Sequence, residues 1–243
     1  MKSLPFSVAT LRLALREGWQ LAAATRRISL VYASIFTLAG ALIIGGLLVR
    51  GLTPFVIAAA GAFMLLGPVF LAGFHGIAAA HEAGQGGGAA AVFGGFRRAA
   101  PTLWVLALVC ALLFMIFITD AAILYSYMIG GAPVWLAELP ANPGGVGRFL
   151  LWGSVSGLFI AGLLYAVSVF AVPLLCERRS SLVGAIALSV RLVFANLLPA
   201  ILWAWLLAVG IIGSVLLLPL LPLTLPWLAF AGRALYRRVL PAD

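Results

Sequence analysis

"LVFANLLPAILWAWLLAVGIIGSVLLLPLLPLTLPWLAFAG", residues 192–232, holds 41 positions without one acidic or basic side chain. As a single helix, rising about 1.5 Å per residue, it would be about 62 Å long. A bilayer's hydrocarbon core is about 30 Å thick. A segment of twice that length folds back on itself, so it reads as two spans in a hairpin that turns near residues 213–218.

The same rule applies along the rest of the chain. Residues 28–49 lie uncharged between Arg27 and Arg50, residues 51–80 are interrupted only by His75, and residues 99–119 run clean to Asp120. Residues 149–176 then run from beyond Arg148 to Glu177. The expectation is an all-α membrane protein, one polytopic domain over 1–243. Its six transmembrane helices fall at 28–49, 53–80, 100–127, 149–176, 197–215 and 218–238, with an outer loop at 128–148.

Composition excludes the alternatives. The 243 residues are 65% hydrophobic and 9% charged, with a mean hydropathy of +1.21. A soluble domain carries about 25% charged residues, so too little charge is present to cover a water-facing surface. The same figures exclude disorder and collagen. The two cysteines, Cys110 inside the third span and Cys176 at the inner end of the fourth, make neither a disulfide framework nor a metal motif.

The chain has 15 Lys+Arg against 6 Asp+Glu, a net charge of +9. A nucleic-acid partner is not the reading, because the basic residues sit at the ends of apolar runs. They report topology. With six spans both termini share a side, and thirteen basic residues share it with them, leaving only Arg50 and Arg148 opposite. The positive-inside rule then places both termini in the cytoplasm. Arg26, Arg27, Arg97, Arg98, Arg178, Arg179, Arg237 and Arg238 are the candidates for anionic lipid headgroups. Residues 1–20 carry Arg12, Arg16 and Glu17 where a cleavable signal would need an apolar run.

An amphipathic stretch precedes each hairpin. In residues 6–24, Val8, Leu11, Leu15 and Trp19 recur at helical spacing, with Arg12, Arg16 and Gln20 on another face. Residues 89–99 set Phe93 and Phe96 beside Arg97 and Arg98. Residues 180–195 start at Ser180, a suitable N-cap, and line up Leu182, Ile186, Val190 and Val193. These read as cytoplasmic interfacial helices. With "RRISLVYASIF" from Arg26, "RRAAPTLWVLA" from Arg97 and "FANLLPAILWAW" from Phe194, they suggest three hairpins related by a pseudo-threefold repeat. Each even span also carries a proline before its inner end: Pro68, Pro173 and Pro226.

Few residues carry chemistry. Ser29, Ala33, Thr37, Ala41 and Gly45 form a small-residue stripe on the first span, and Gly153, Gly157 and Ala161 form one on the fourth. Such stripes let helices approach closely, either within the chain or against another protein's helix. Asp120 is the one acid next to a span. It reads either as a proton or cation site or as an interfacial group within reach of Arg148. His75 and His81 are six apart, so their rings leave a helix on different faces, and they read as interfacial polar residues rather than metal ligands. No Ser/His/Asp set, carboxylate pair or HExxH is present, so no enzyme, cofactor or metal is expected.

"GAFMLLGPVFLAGFHGIAAAHEAGQ", residues 61–85, resembles the second-span signature of a bacterial integral membrane family grouped as a domain of unknown function. "FAVPLLCERRSSLVGAIALSVRLVFANLLPAILWAW", residues 170–205, resembles the same family: a span, a charged turn, an amphipathic helix with Ser-Val-Arg, then Asn and Pro. Residues 18–35 fit more loosely, and the likeness is weakest over 100–150. The resemblance implies a six-span inner-membrane protein. Some relatives carry an automatic label of cytochrome oxidase subunit I, but two histidines at one helix end fall short of haem and copper ligation. Relatives usually carry histidines before a terminal Tyr-Arg; here Tyr236 and Arg237 stand with Phe230 and Ala234 upstream. The leading functional expectation is a non-catalytic accessory or scaffold subunit docking on a larger, respiratory-type membrane assembly. A small-solute transporter or channel and an anionic-lipid-binding protein are the alternatives.

Overall fold

The computed structural model describes residues 6–56, 59, 67–85, 88–130, 133–135 and 143–241. These form helices α1 (Val8–Ala24), α2 (Arg26–Val49), α3 (Gly67–Glu82), α4 (Ala89–Arg98) and α5 (Thr102–Ile129). There follow α6 (Pro143–Ser168), α7 (Ala171–Cys176), α8 (Leu182–Ala195), α9 (Leu197–Leu216), a 3-10 turn (Leu218–Leu220) and α10 (Leu221–Val239). Five apolar stretches are long enough to cross a membrane: Arg26–Val49, Thr102–Ile129, Gly144–Cys176, Leu197–Leu216 and Leu218–Val239. Much of the second expected span, 53–80, lies outside the described residues, and α3 is the part described.

The outward faces are those of a protein in oil. Leu42 on α2, Leu108 on α5, Leu158 and Phe159 on α6 and Leu198 on α9 are each at least 70% exposed. Runs of this kind would aggregate in water. Hydroxyls on the long helices bond to carbonyls of the protein, as hydrocarbon requires. Ser34 donates to the Leu30 carbonyl at 2.8 Å, Thr119 to Met115 at 2.8 Å, and Tyr165 reaches across to the Ala200 carbonyl at 2.8 Å.

α10 is the axis of the packing. One buried cluster gathers Leu11, Leu103, Phe170, Trp203 and Tyr236, the other Tyr32, Phe74, Val215, Leu225 and Phe230, so α10 contributes to both. α1 lies directly along it. A Cβ on Gly18 would sit 2.6 Å from the Ala231 Cα, and the Trp227 indole donates to the Leu15 carbonyl at 2.9 Å. The buried face of α1 is therefore Leu11, Ala14 and Gly18, while Val8 and Trp19 are exposed. The expected stripe of Val8, Leu11, Leu15 and Trp19 is rotated because close helix contact favours small residues over large ones. Trp19 instead meets Trp227 edge to face at 5.8 Å.

Other boundaries shift for local reasons. The cap of α8 is Ser181, which accepts from the Gly184 N–H at 3.3 Å, one residue beyond the expected Ser180. The buried side of α8 centres on Ala185, Ser189 and Leu192. α6 begins at Pro143, within the loop expected over 128–148, because proline suits a helix's first residue. Pro173 cannot donate to the carbonyl four residues earlier, and its ring crowds that position. The fourth span accordingly breaks between Ser168 and Ala171. The Phe170 N–H, left without a helical partner, donates to the Ser189 hydroxyl at 3.2 Å, and that hydroxyl donates to the Ala166 carbonyl at 2.7 Å.

Candidate functional site

The last two turns of α10 carry Arg233, Tyr236 and Arg237 at spacings of three and four, which puts them on one face, with Arg238 beside them. Three glutamates come to meet this stripe from three other parts of the chain. Glu82 ends α3, where a carboxylate faces the negative end of the helix dipole and needs cations. Both its oxygens accept from Arg233, at 2.6 and 2.9 Å, and Oε1 also accepts from Arg237 at 2.9 Å. Glu177, just past α7, accepts from Arg237 at 3.1 and 3.2 Å and from the Tyr236 hydroxyl at 3.1 Å. Glu17 on α1 pairs with Arg238.

Two further arginines tie backbone rather than carboxylate. Arg178 has a left-handed backbone, φ 53°, and donates to the Arg98 carbonyl at 2.7 Å and the Ala99 carbonyl at 3.3 Å. It thereby closes the exposed end of α4. Arg179 donates to the Tyr236 hydroxyl at 2.9 Å and to the Leu240 and Pro241 carbonyls, each at 2.7 Å. Arg178, Arg179, Arg237 and Arg238 thus spend their donors inside the protein. Arg26, Arg27, Arg97 and Arg98 are exposed.

Burial separates the strong contacts from the weak. Arg237 and Arg238 are partly exposed, and such pairs contribute little each. The Arg233 side chain is only 6% exposed, so its charge depends on the carboxylate that reaches it. The hydrogen bond from Arg233 holds the Glu82 carboxyl below its usual pKa; burial opposes this, and the positive fields of Arg233 and Arg237 add to it. Glu82 is therefore ionised throughout the physiological range.

A half-open cavity of about 560 Å³ lies against this network, between α3, α4, α7 and α10. Arg233 and Arg237 form the wall it shares with a second cavity of about 510 Å³, which opens toward Glu17, Gln20 and His81. The first cavity exists because α3 and α4 touch backbone to backbone. A Cβ on Gly95 would come 2.8 Å from the Gly76 nitrogen, and one on Gly76 would come 2.5 Å from the Gly95 nitrogen. That crossing sets His75, one residue before Gly76, level with Arg97 and Arg98, two and three residues after Gly95.

The remaining sequence candidates fall elsewhere. On α2 the N-terminal half of the small-residue stripe, Ser29 and Ala33, is buried, whereas a Cβ on Gly45 would meet nothing within 4 Å. Thr37 donates to the Ala33 carbonyl at 3.1 Å, and Ala41 is half-buried. On α6 a Cβ at Gly157 would come 3.0 Å from the Phe117 ring of α5, and Gly153 and Ala161 are half-buried. Asp120 makes no ion pair with Arg148 among the described residues; Arg148 donates to the Gly144 carbonyl of its own helix at 3.1 Å. His75 is buried and His81 is exposed. No cluster of three or more metal-ligating side chains occurs among the described residues.

Oil-facing helices around a packed apolar core define a multi-pass, all-helical integral membrane protein, closed at one end by arginines and carboxylates. The chain belongs to the DUF2189 family, described as predicted integral membrane proteins, whose model matches residues 55–177, half of its length. That match takes in residues 100–150, where the sequence likeness is weakest, and stops at Glu177, before most of the 170–205 stretch. No curated protein and no solved structure matches the chain.

Proposed function

We propose that this is a non-catalytic protein of the bacterial inner membrane whose arginine-rich end faces the cytoplasm and binds anionic lipid headgroups. The observation that carries this reading is the division of labour among the arginines. One set is consumed in holding helices together. Arg12 and Arg16 along α1 and Arg26 and Arg27 at the start of α2 are left exposed, and each cation near an anionic leaflet contributes about 1 kcal/mol. The arrangement as three hairpins with interfacial helices α1, α4 and α8, related by a pseudo-threefold repeat, is part of the same reading.

A test follows from exposure. Arg178 and Arg179 are unsuitable for substitution because they stabilise the fold. In mixed bilayers of phosphatidylglycerol and phosphatidylcholine, replacing Arg12, Arg16, Arg26 and Arg27 with glutamine should bring the anionic enrichment of co-purified lipid down toward the bulk ratio. Enrichment unchanged from wild type would remove the proposal.

The accessory-subunit reading keeps one specific support. In the outer half of the α2 stripe, a methyl group added to Gly45 would meet nothing within 4 Å, which leaves room for another protein's helix. The transporter reading has less: both cavities lie at the arginine-rich end rather than at mid-depth.

A further inference from the structure

We propose that the cavity between α3, α4, α7 and α10 is a site for one phosphate-bearing anion. Five arginines line it against one carboxylate, Glu177. Arg97 and Arg98 stand exposed at its rim, and Arg178, Arg233 and Arg237 are fixed in its wall by the contacts already described. Positive charge beyond what the neighbouring glutamates neutralise, gathered in a concave site, raises the local concentration of anions.

The second observation is independent of charge. His75 lines the cavity and is 7% exposed, and its ring forms no hydrogen bond with a described residue. Its Nδ1 is sealed from the cavity, so Nε2 is the ring nitrogen left to meet a ligand. A neutral ring protonated at Nε2 can donate to an oxyanion there, as the guanidinium groups at the rim do. A phosphate group suits this set, because its tetrahedrally placed oxygens can accept at once from Nε2 on α3 and from the Arg97 and Arg98 guanidinium groups on α4. Two sources carry that group: a phospholipid headgroup entering from the membrane interface, and a soluble phosphate entering from the aqueous side.

The inference rests on the headgroup-binding reading above, but it concerns one saturable site rather than surface attraction. The full-length protein in mild detergent would be titrated with phosphatidylglycerol, with phosphatidylcholine as control, and separately with inorganic phosphate. Bound lipid is counted by native mass spectrometry, and phosphate binding is read from the thermal midpoint. One phosphatidylglycerol per chain, held roughly tenfold more weakly by His75→Phe and by Arg97→Gln/Arg98→Gln, supports the site with a lipid source. Saturable stabilisation by inorganic phosphate, lost in both variants, supports it with a soluble source. The rim arginines are exposed, so the double variant keeps the site testable should His75→Phe fail to fold. Binding that never saturates, or that is equal in wild type and the folded variants, overturns the site while leaving surface attraction standing. Conversely, the Arg12, Arg16, Arg26 and Arg27 variant should retain the bound anion even if surface enrichment proves unaffected.

Discussion

Replacing Glu82 with alanine lowers the stability of the detergent-solubilised protein by about 2 kcal/mol, through the arginine left behind. Arg233 is buried and takes both its short carboxylate contacts from Glu82. Its Nε already lacks a partner. Removing one member of a buried pair costs about 3–5 kcal/mol, because the other charge stays out of water. The cost falls below that range here, to about 2 kcal/mol, since the Glu82 side chain is itself 44% exposed and the Glu177 carboxylate stands 3.9 Å from Arg233. Replacing both residues, Glu82→Ala with Arg233→Met, should recover most of the loss, as apolar packing substitutes well for a buried ion pair. Thermal midpoints of the single and double variants measure this. A double variant no more stable than Glu82→Ala would show that Arg233 does not depend on Glu82.

Gly95→Ala and Gly94→Ala should change stability in opposite directions. Alanine is the better helix former by about 1 kcal/mol, so at Gly94, where a Cβ would meet nothing within 4 Å, it stabilises α4. At Gly95 the same methyl group falls against the Ala72 carbonyl oxygen and 2.9 Å from the Gly76 Cα. Those are backbone atoms and cannot turn aside, so α4 must lift from α3, at a cost of about 1–3 kcal/mol. The cavity beside His75 should open with it. Equal effects at the two glycines in denaturation by a harsh detergent would mean that this crossing does not hold the helices.

Five long apolar helices were legible because one property, freedom from charge over a bilayer's width, is local in sequence. The 192–232 segment and the hairpin formed by α9 and α10 show this directly. Which face of each helix turns inward was less legible. Gly18 and Ala14 seat α1 on α10 because they are small, and hydrophobic periodicity gives such residues little weight. The charged cluster was legible only in part. The charged turn after the fourth span was visible, and its Glu177 meets Arg237. Glu82 and Arg233 are 151 residues apart, and no spacing rule joins them. The one available signal was the Arg233, Tyr236, Arg237 stripe, read against the scarcity of acids. Ser189 escaped notice for the same reason: its partner, the broken turn before Pro173, exists only in the folded chain.

The central claim is that the arginine-rich helix ends lie together on the cytoplasmic side of the membrane. Single cysteines in place of Arg27, Arg191, Arg50 and Arg148 test it, since all four positions are exposed and the native Cys110 and Cys176 are buried. With a membrane-impermeant maleimide on intact cells, the account predicts labelling at positions 50 and 148, and labelling at 27 and 191 only once the membrane is opened. Labelling of 27 or 191 in intact cells, with 50 and 148 protected, would contradict it.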